Sequence, residues 1–168
     1  PFHVVHAAQR GDQQLRLVFS LPKQLVGPLG DRQTGELDIL FVADEVITGF
    51  GRTGPMFACE AEGVTPDLMT IAKSLAAGVP LSAVTGRAEI MDAPAPGGLG
   101  GTYAGNPLAV AAAHAVIDVM RDEKLPERGA MLGDQLKALL ETLRPEVPQI
   151  ADVRGLGAMV AVEFGSPN

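Results

Sequence analysis

Ile39-Leu40-Phe41-Val42-Ala43-Asp44-Glu45 is a continuous apolar run that ends in two acids. An apolar stretch of this length without polar alternation has the pattern of a strand buried on both faces of a parallel sheet. Working outward, Leu68-Met69-Thr70-Ile71-Ala72 is a second such run and closes on Lys73. Leu81-Ser82-Ala83-Val84-Thr85 is a third, set off by Gly78-Val79-Pro80. Gly49, Gly51 and Gly54 mark a loop between the first two, and Met56 to Glu62 reads as a short helix. Strands alternating with helical segments predict an α/β chain.

Beyond the third strand lies a glycine-rich loop, Pro96-Gly97-Gly98-Leu99-Gly100-Gly101. Gly105-Asn106-Pro107 then supplies a helix start, with Asn as cap and Pro at the first helical position. The helix predicted from Pro107 to about Arg121 is apolar nearly all round, so burial on more than one side is expected. A second helix, Leu125 to Leu143, places Leu132, Leu136, Leu139, Leu140 and Leu143 on one face and should be partly exposed. Pro145 and Pro148 end it, and Gly157 to Phe164 alternates as a strand opening a second unit. Upstream, Phe2 to Ala8 and Leu15 to Phe19 read as short strands, while Pro22, Gly27, Pro28, Gly30 and Gly35 break any longer period. The expected division is a poorly patterned segment 1–37, a large-domain part 38–146 and the start of a small domain, 147–168.

With 168 residues the chain suits one domain or part of one, and 46% hydrophobic content argues for a folded chain. Twenty acidic against 13 basic residues give a net charge of -7 with no basic cluster, which argues against nucleic-acid binding. The most apolar stretch, Leu108 to Met120, is broken by His114 and Asp118 and is short of the roughly 20 residues of a membrane span. The single cysteine, Cys59, fits a reducing compartment. With no basic-then-apolar leader, the expectation is a soluble cytoplasmic protein.

Asp44 and Glu45 fall at the carboxyl end of a strand, the edge where open α/β sheets bind ligands. A nucleotide hydrolase would also need a phosphate loop of the form G-x-x-x-x-G-K-[ST], and none exists here. In a pyridoxal-phosphate enzyme one carboxylate pairs instead with the pyridine nitrogen and keeps it protonated. Lys73, at the mouth of an apolar strand, is placed as a Schiff-base amine would be. Taken singly, each feature has a plainer reading: acids that end a strand at the surface, a solvated lysine, a glycine-rich turn. His3, His6 and His114 lack metal-ligand spacing, and no metal is expected. His114 reads as a packing residue on an alanine-rich helix, and Arg52 and Arg154, beside glycines, as structural.

Three stretches together carry more weight. Ala43-Asp44-Glu45-Val46-Ile47-Thr48-Gly49-Phe50-Gly51-Arg52-Thr53-Gly54, Pro66-Asp67-Leu68-Met69-Thr70-Ile71-Ala72-Lys73-Ser74 and Gly98-Leu99-Gly100-Gly101-Thr102-Tyr103-Ala104-Gly105-Asn106-Pro107 resemble, in order, the class III aminotransferases. The likeness runs from about Ile39 to Phe164 and is greatest toward the members acting on 4-aminobutyrate. Asp44 to Lys73 and Lys73 to Thr102 are each 29 positions, intervals similar to the family's own. The resemblance implies a fold type I large domain, a mostly parallel sheet with flanking helices, and pyridoxal 5'-phosphate as cofactor. By it, Lys73 forms the Schiff base and shuttles the proton, Asp44 binds the pyridine nitrogen, Val46 packs on the ring and Thr102 holds the cofactor phosphate. Thr102 reaches the neighbouring subunit's site in this family, which implies a homodimer. The physics of a glycine-rich loop leading into a helix start agrees with a phosphate site.

The implied reaction moves an amino group from an ω-amino acid to a 2-oxo acid. Ile47 departs from the pattern, since many members carry a Gln there that bonds the cofactor's ring hydroxyl. Ile at this place resembles the ω-amino acid:pyruvate branch, and an ornithine-type activity is a further option within the family. The family's amino-terminal half and the arginine that takes the substrate carboxylate have no counterpart in these residues. The alternative expectation is therefore a non-catalytic remnant or interaction module that retains the aminotransferase scaffold.

Overall fold

The computed structural model describes residues 3–10 and 14–20 as backbone, and residues 40–98 and 100–165 with their side chains. Strands β1 (His3–Arg10) and β2 (Gln14–Ser20) pair antiparallel, His3 opposite Ser20 and Arg10 opposite Gln14. Both short strands expected near the amino end are thus present. The segment between β2 and Leu40, with its proline and glycine breaks, lies outside the described residues, as does Leu99.

The apolar run that decides the fold forms β3 (Val42–Asp44). Val42 and Ala43 are both buried although their side chains leave opposite faces, which is the two-sided burial expected of this strand. Helix α1 (Ala58–Ala61) follows the glycine loop, and the chain returns as β4 (Leu68–Ile71), parallel to β3 with Asp44 opposite Thr70. After a 3₁₀ turn, Lys73–Ala76, strand β5 (Ala83–Gly86) pairs antiparallel with β4. The described sheet, in the order β3-β4-β5, is therefore mixed, with one parallel and one antiparallel pair. The β4–β5 pair is antiparallel because the link from Ile71 to Ala83 is too short to carry a helical crossover and simply turns back.

Short helix α2 (Ala88–Met91) leads to the glycine-rich loop and then to α3 (Pro107–Asp122). Asn106 caps α3 through its side chain, with Oδ1 accepting the Leu108 amide at 3.0 Å, and Pro107 takes the first helical place. Helix α4 (Leu125–Leu143) has the bounds its leucine spacing predicts and exposes Leu132, Leu136, Leu139 and Leu143.

Burial of α3 on more than one side is not what the structure shows. Ala109, Ala113 and Met120 are buried, but Leu108 is 77% exposed, and Val110, Ile117 and Val119 are also exposed. One side of the helix packs on the core of Phe50, Leu75, Ala76, Ala113 and Met120, and no described element covers the other. Phe50 and Phe57 meet edge-to-face in this region, with centroids 5.6 Å apart.

The chain ends in an antiparallel hairpin of β6 (Ile150–Leu156) and β7 (Met159–Phe164). The strand expected from Gly157 begins two residues later, because Gly157 and Ala158 form the turn, and β6 lacks an alternation that would announce it. The turn packs on α4 so closely that a Cβ at Gly133 would lie 1.7 Å from the Gly157 carbonyl oxygen. Only glycine fits there.

Candidate active site

Parallel pairing brings Asp44 and Lys73 to one edge of the sheet. Asp44 is the last residue of β3, its partner Thr70 sits in β4, and Lys73 stands three residues beyond Thr70 at the carboxyl end of that strand. The two adjacent acids then part company. Asp44 is exposed, and its Oδ1 accepts from the Val46 amide and the Thr70 hydroxyl, both at 3.1 Å. Its Oδ2 has no partner among the described residues, so one oxygen of a held carboxylate faces outward.

Glu45 is 2% exposed and serves the fold. Its Oε2 accepts the Thr48 hydroxyl, its Oε1 accepts the Cys59 amide at 2.9 Å, and its own amide donates to the Thr70 carbonyl at 3.0 Å. It thereby ties the end of β3 to β4 and to the start of α1. Burial first, and then the Glu45 charge, push the Cys59 thiol up to about 11, so it stays protonated near neutral pH.

Lys73 is exposed and opens the 3₁₀ turn with φ 50°, left-handed backbone for a residue other than glycine. Its amine has no hydrogen-bond or ion-pair partner among the described residues. It lines an open cleft of about 540 Å³ with Phe50, Arg52, Ser74, Val116, Met120 and Leu125 among the walls. Arg52 reaches across this region, Nη1 donating to the Ile47 carbonyl at 3.1 Å and Nη2 donating to the Ser74 hydroxyl. Sequence reasoning set Arg52 aside as structural and passed over Ser74; their signal was adjacency, Ser74 to Lys73 and Arg52 to the loop after Asp44.

Val46 is half-buried at the first residue of the turn after Asp44, and Ile47 is exposed beside it. Thr102 is exposed in the turn before the α3 cap. Neither Asp44, Val46 nor Thr102 lines the Lys73 cleft. A Cβ placed at Gly100, Gly101 or Gly105 would meet nothing within 4 Å, so this loop presents bare backbone to open space. His114, expected to pack, is exposed on α3, on a side that nothing described covers. Arg154 pairs with Asp152 along its own strand at 2.7 Å and with Glu163 across the hairpin at 2.6 Å. Among the described residues no group of three or more His, Cys, Asp or Glu could hold a metal ion.

A free amine, a braced carboxylate with one open oxygen and an open glycine loop before a capped helix form a donor set suited to an aldehyde cofactor bearing a ring nitrogen and a phosphate. The family comparison agrees with that chemistry. Aminotransferase class-III is the family whose sequence model matches, over residues 32–168, and the chain belongs to it.

Among curated relatives, it is 60% identical over 125 residues to the 5-aminovalerate aminotransferase DavT of Pseudomonas putida, covering 74% of this chain and 29% of that protein. It is 57% identical over 129 residues to the 4-aminobutyrate aminotransferase GabT of Escherichia coli, covering 77% and 30%. Among solved structures, acetylornithine aminotransferase from Elizabethkingia anophelis superposes with a TM-score of 0.76 at 42% identity, over 79% of this chain and 33% of that one. Ornithine aminotransferase from Toxoplasma gondii, in a structure that reveals partial occupancy of PLP at its active site, gives 0.73 at 43% identity over 79% and 32%. These likenesses place the fold among the fold type I aminotransferases. The chain spans about three-tenths of the length of the curated relatives it matches. No described helix is long and apolar enough to cross a membrane.

Proposed function

We propose that this chain supplies the cofactor-lysine portion of an aminotransferase that uses pyridoxal 5'-phosphate to move an amino group from an ω-amino acid, of the 4-aminobutyrate or 5-aminovalerate kind, to a 2-oxo acid. The observation that carries the reading is the parallel β3–β4 pair, which sets the Asp44 carboxylate and the Lys73 amine on one sheet edge. The names of the relatives support the substrate class, since both named donors carry a terminal amine far from the carboxylate. When bound, the cofactor supplies an electron sink for the carbon that loses its proton.

The chain's own residues have distinct tasks in this reading. Lys73 Nζ holds the cofactor covalently and then, released, takes and returns the proton at the substrate carbon. Asp44 Oδ2 would pair with the ring nitrogen and keep its proton in place, while the Val46 amide and Thr70 hydroxyl fix the carboxylate's orientation. Val46 would pack on the ring. Thr102 and the amides of Gly100 and Gly101 take a phosphate, in the neighbouring subunit of a homodimer. Residues 38–146 belong to the large domain and 147–168 open the small one, and a cytoplasmic location accords with the single free thiol of Cys59.

The test is direct. Incubation of the chain with pyridoxal phosphate followed by borohydride should label Lys73 in a peptide mass map, and Lys73→Ala should abolish that adduct. Absence of the adduct in folded chain refutes the assignment. A second reading, a non-catalytic scaffold, is favoured by the exposure of Lys73, because the described residues do not close a dry pocket around it. Transamination of 4-aminobutyrate or 5-aminovalerate with a 2-oxo acid by the isolated chain would exclude that second reading.

A further inference from the structure

We propose that Arg52 is a positioning residue for Lys73. Its guanidinium couples the loop that follows Asp44 to the residue that follows Lys73 and so sets where the amine stands. The proposal rests on Lys73 being the reactive amine.

Ile47, whose carbonyl accepts from Nη1 at 3.1 Å, is three residues past Asp44, and Ser74, whose hydroxyl accepts from Nη2, adjoins Lys73. One planar fork thus spans both halves of the site, which a lysine ammonium, a single point of charge, does less well. Arg52 is itself anchored from behind. Its carbonyl accepts the Met159 amide at 3.1 Å, so the β6–β7 turn fixes its backbone. Gly51, at φ 77°, approaches Pro126 of α4 so closely that a Cβ would lie 3.0 Å from the Pro126 Cα.

The other end of the bridge explains why such a tie is useful. Lys73 holds φ 50° and Ala77 φ 48°, backbone that residues with side chains adopt sparingly and that persists where surrounding contacts over-determine it. Among the described residues, the Arg52–Ser74 bond is the side-chain hydrogen bond that joins the Lys73–Ala76 turn to the loop. No described carboxylate pairs with Arg52, so the guanidinium is committed to these two oxygens.

The experiment uses the full chain with pyridoxal phosphate and borohydride, reading the labelling of Lys73 relative to exposed Lys124 by mass mapping, with circular dichroism confirming the fold of each variant. Arg52→Gln and Ser74→Ala should each lower the Lys73:Lys124 ratio about tenfold, the size of one charge-assisted hydrogen bond. The double variant should lose no more than Arg52→Gln alone, since both act through one bond. Ser74→Thr, which keeps a hydroxyl, should retain the parent ratio. Parent-like labelling in Arg52→Gln or in Ser74→Ala, or losses that multiply in the double variant, would overturn the proposal, and Ser74→Ala decides it even if Arg52→Gln does not fold. No preference for Lys73 in the parent chain instead refutes the lysine assignment, and Arg52's role with it.

Discussion

Replacing Glu45 with Gln tests the division of labour between the two adjacent acids. The substitution preserves volume and lets the amide oxygen keep accepting the Cys59 amide while its NH₂ group donates to Thr48, so the brace between β3 and α1 should survive. What disappears is the negative charge that opposes ionisation of Cys59. In the parent chain that thiol is raised from 9.0 to about 11, burial being the larger cause and Glu45 the next. A shift of that size reduces the thiolate near pH 8 about a hundredfold, so iodoacetamide should alkylate the native thiol about a hundred times more slowly than the unfolded one. In Glu45→Gln the titration midpoint should fall, yet stay above 9.0, because burial persists.

The sign of the stability effect follows from the same numbers. Between pH 9 and about 11 the unfolded chain loses the Cys59 proton and the folded chain keeps it, so folding stability declines across that window and the decline is shallower in Glu45→Gln. The assay is the alkylation rate against pH, followed by mass spectrometry, with urea melts at pH 8 and 10. A native parent thiol that titrates at 9.0, or a midpoint unchanged by Glu45→Gln, would refute the inward placement of Glu45.

Gly133→Ala should destabilise the chain although alanine is the better helix former: the helix gains about 1 kcal/mol, but a Cβ 1.7 Å from the Gly157 oxygen forces the hairpin away, at about 2–3 kcal/mol. A thermal melt should show a drop of about 2–8 °C, and a rise in Tm would contradict the packing. Asn106→Ala should cost about 1 kcal/mol through loss of the α3 cap, read from urea midpoints, and an unchanged midpoint would show the cap idle. Asp44→Asn should leave borohydride labelling of Lys73 present while lowering amino transfer in the complete enzyme at least about a hundredfold; full activity in that variant would remove Asp44 from the site.

Local chemistry made the helices legible. Asn106-Pro107 announced the start of α3 and the leucine spacing gave α4 its bounds, because capping and periodicity act within a few residues of sequence. The strands were readable as apolar runs, but not their partners: β5 runs antiparallel because of a short link, a property of the path between strands. Burial was the least readable. The composition of α3 suits a helix covered on several sides, yet coverage depends on whatever packs against Leu108 and Ile117, which no local pattern contains. Likewise Asp44 and Glu45 are chemically alike and adjacent, and the partners each finds, Thr48 and the Cys59 amide for Glu45, leave one exposed and the other buried. The Arg52–Ser74 bond across 22 positions was invisible for the same reason: it is made by a loop fold, not by spacing.

The parallel pairing of β3 with β4 has a consequence for how this site can vary. Asp44 is held beside Thr70 by the spacing of adjacent strands, about 4.8 Å, and by register, while Lys73 stands three residues past Thr70, beyond the end of β4. The crossover between the two strands, residues 45–67, adds two ties to that frame: Glu45 bonds the end of β3 to β4, and Arg52 bonds Ser74 beside the amine. The rest of it can be lengthened, shortened or exchanged with a relative's while the strand pairing holds, provided Asp44 stays opposite Thr70 and Glu45 and Arg52 keep their partners. A chimera carrying a foreign crossover that retains Glu45 and Arg52 is a practical route to changing what surrounds the amine.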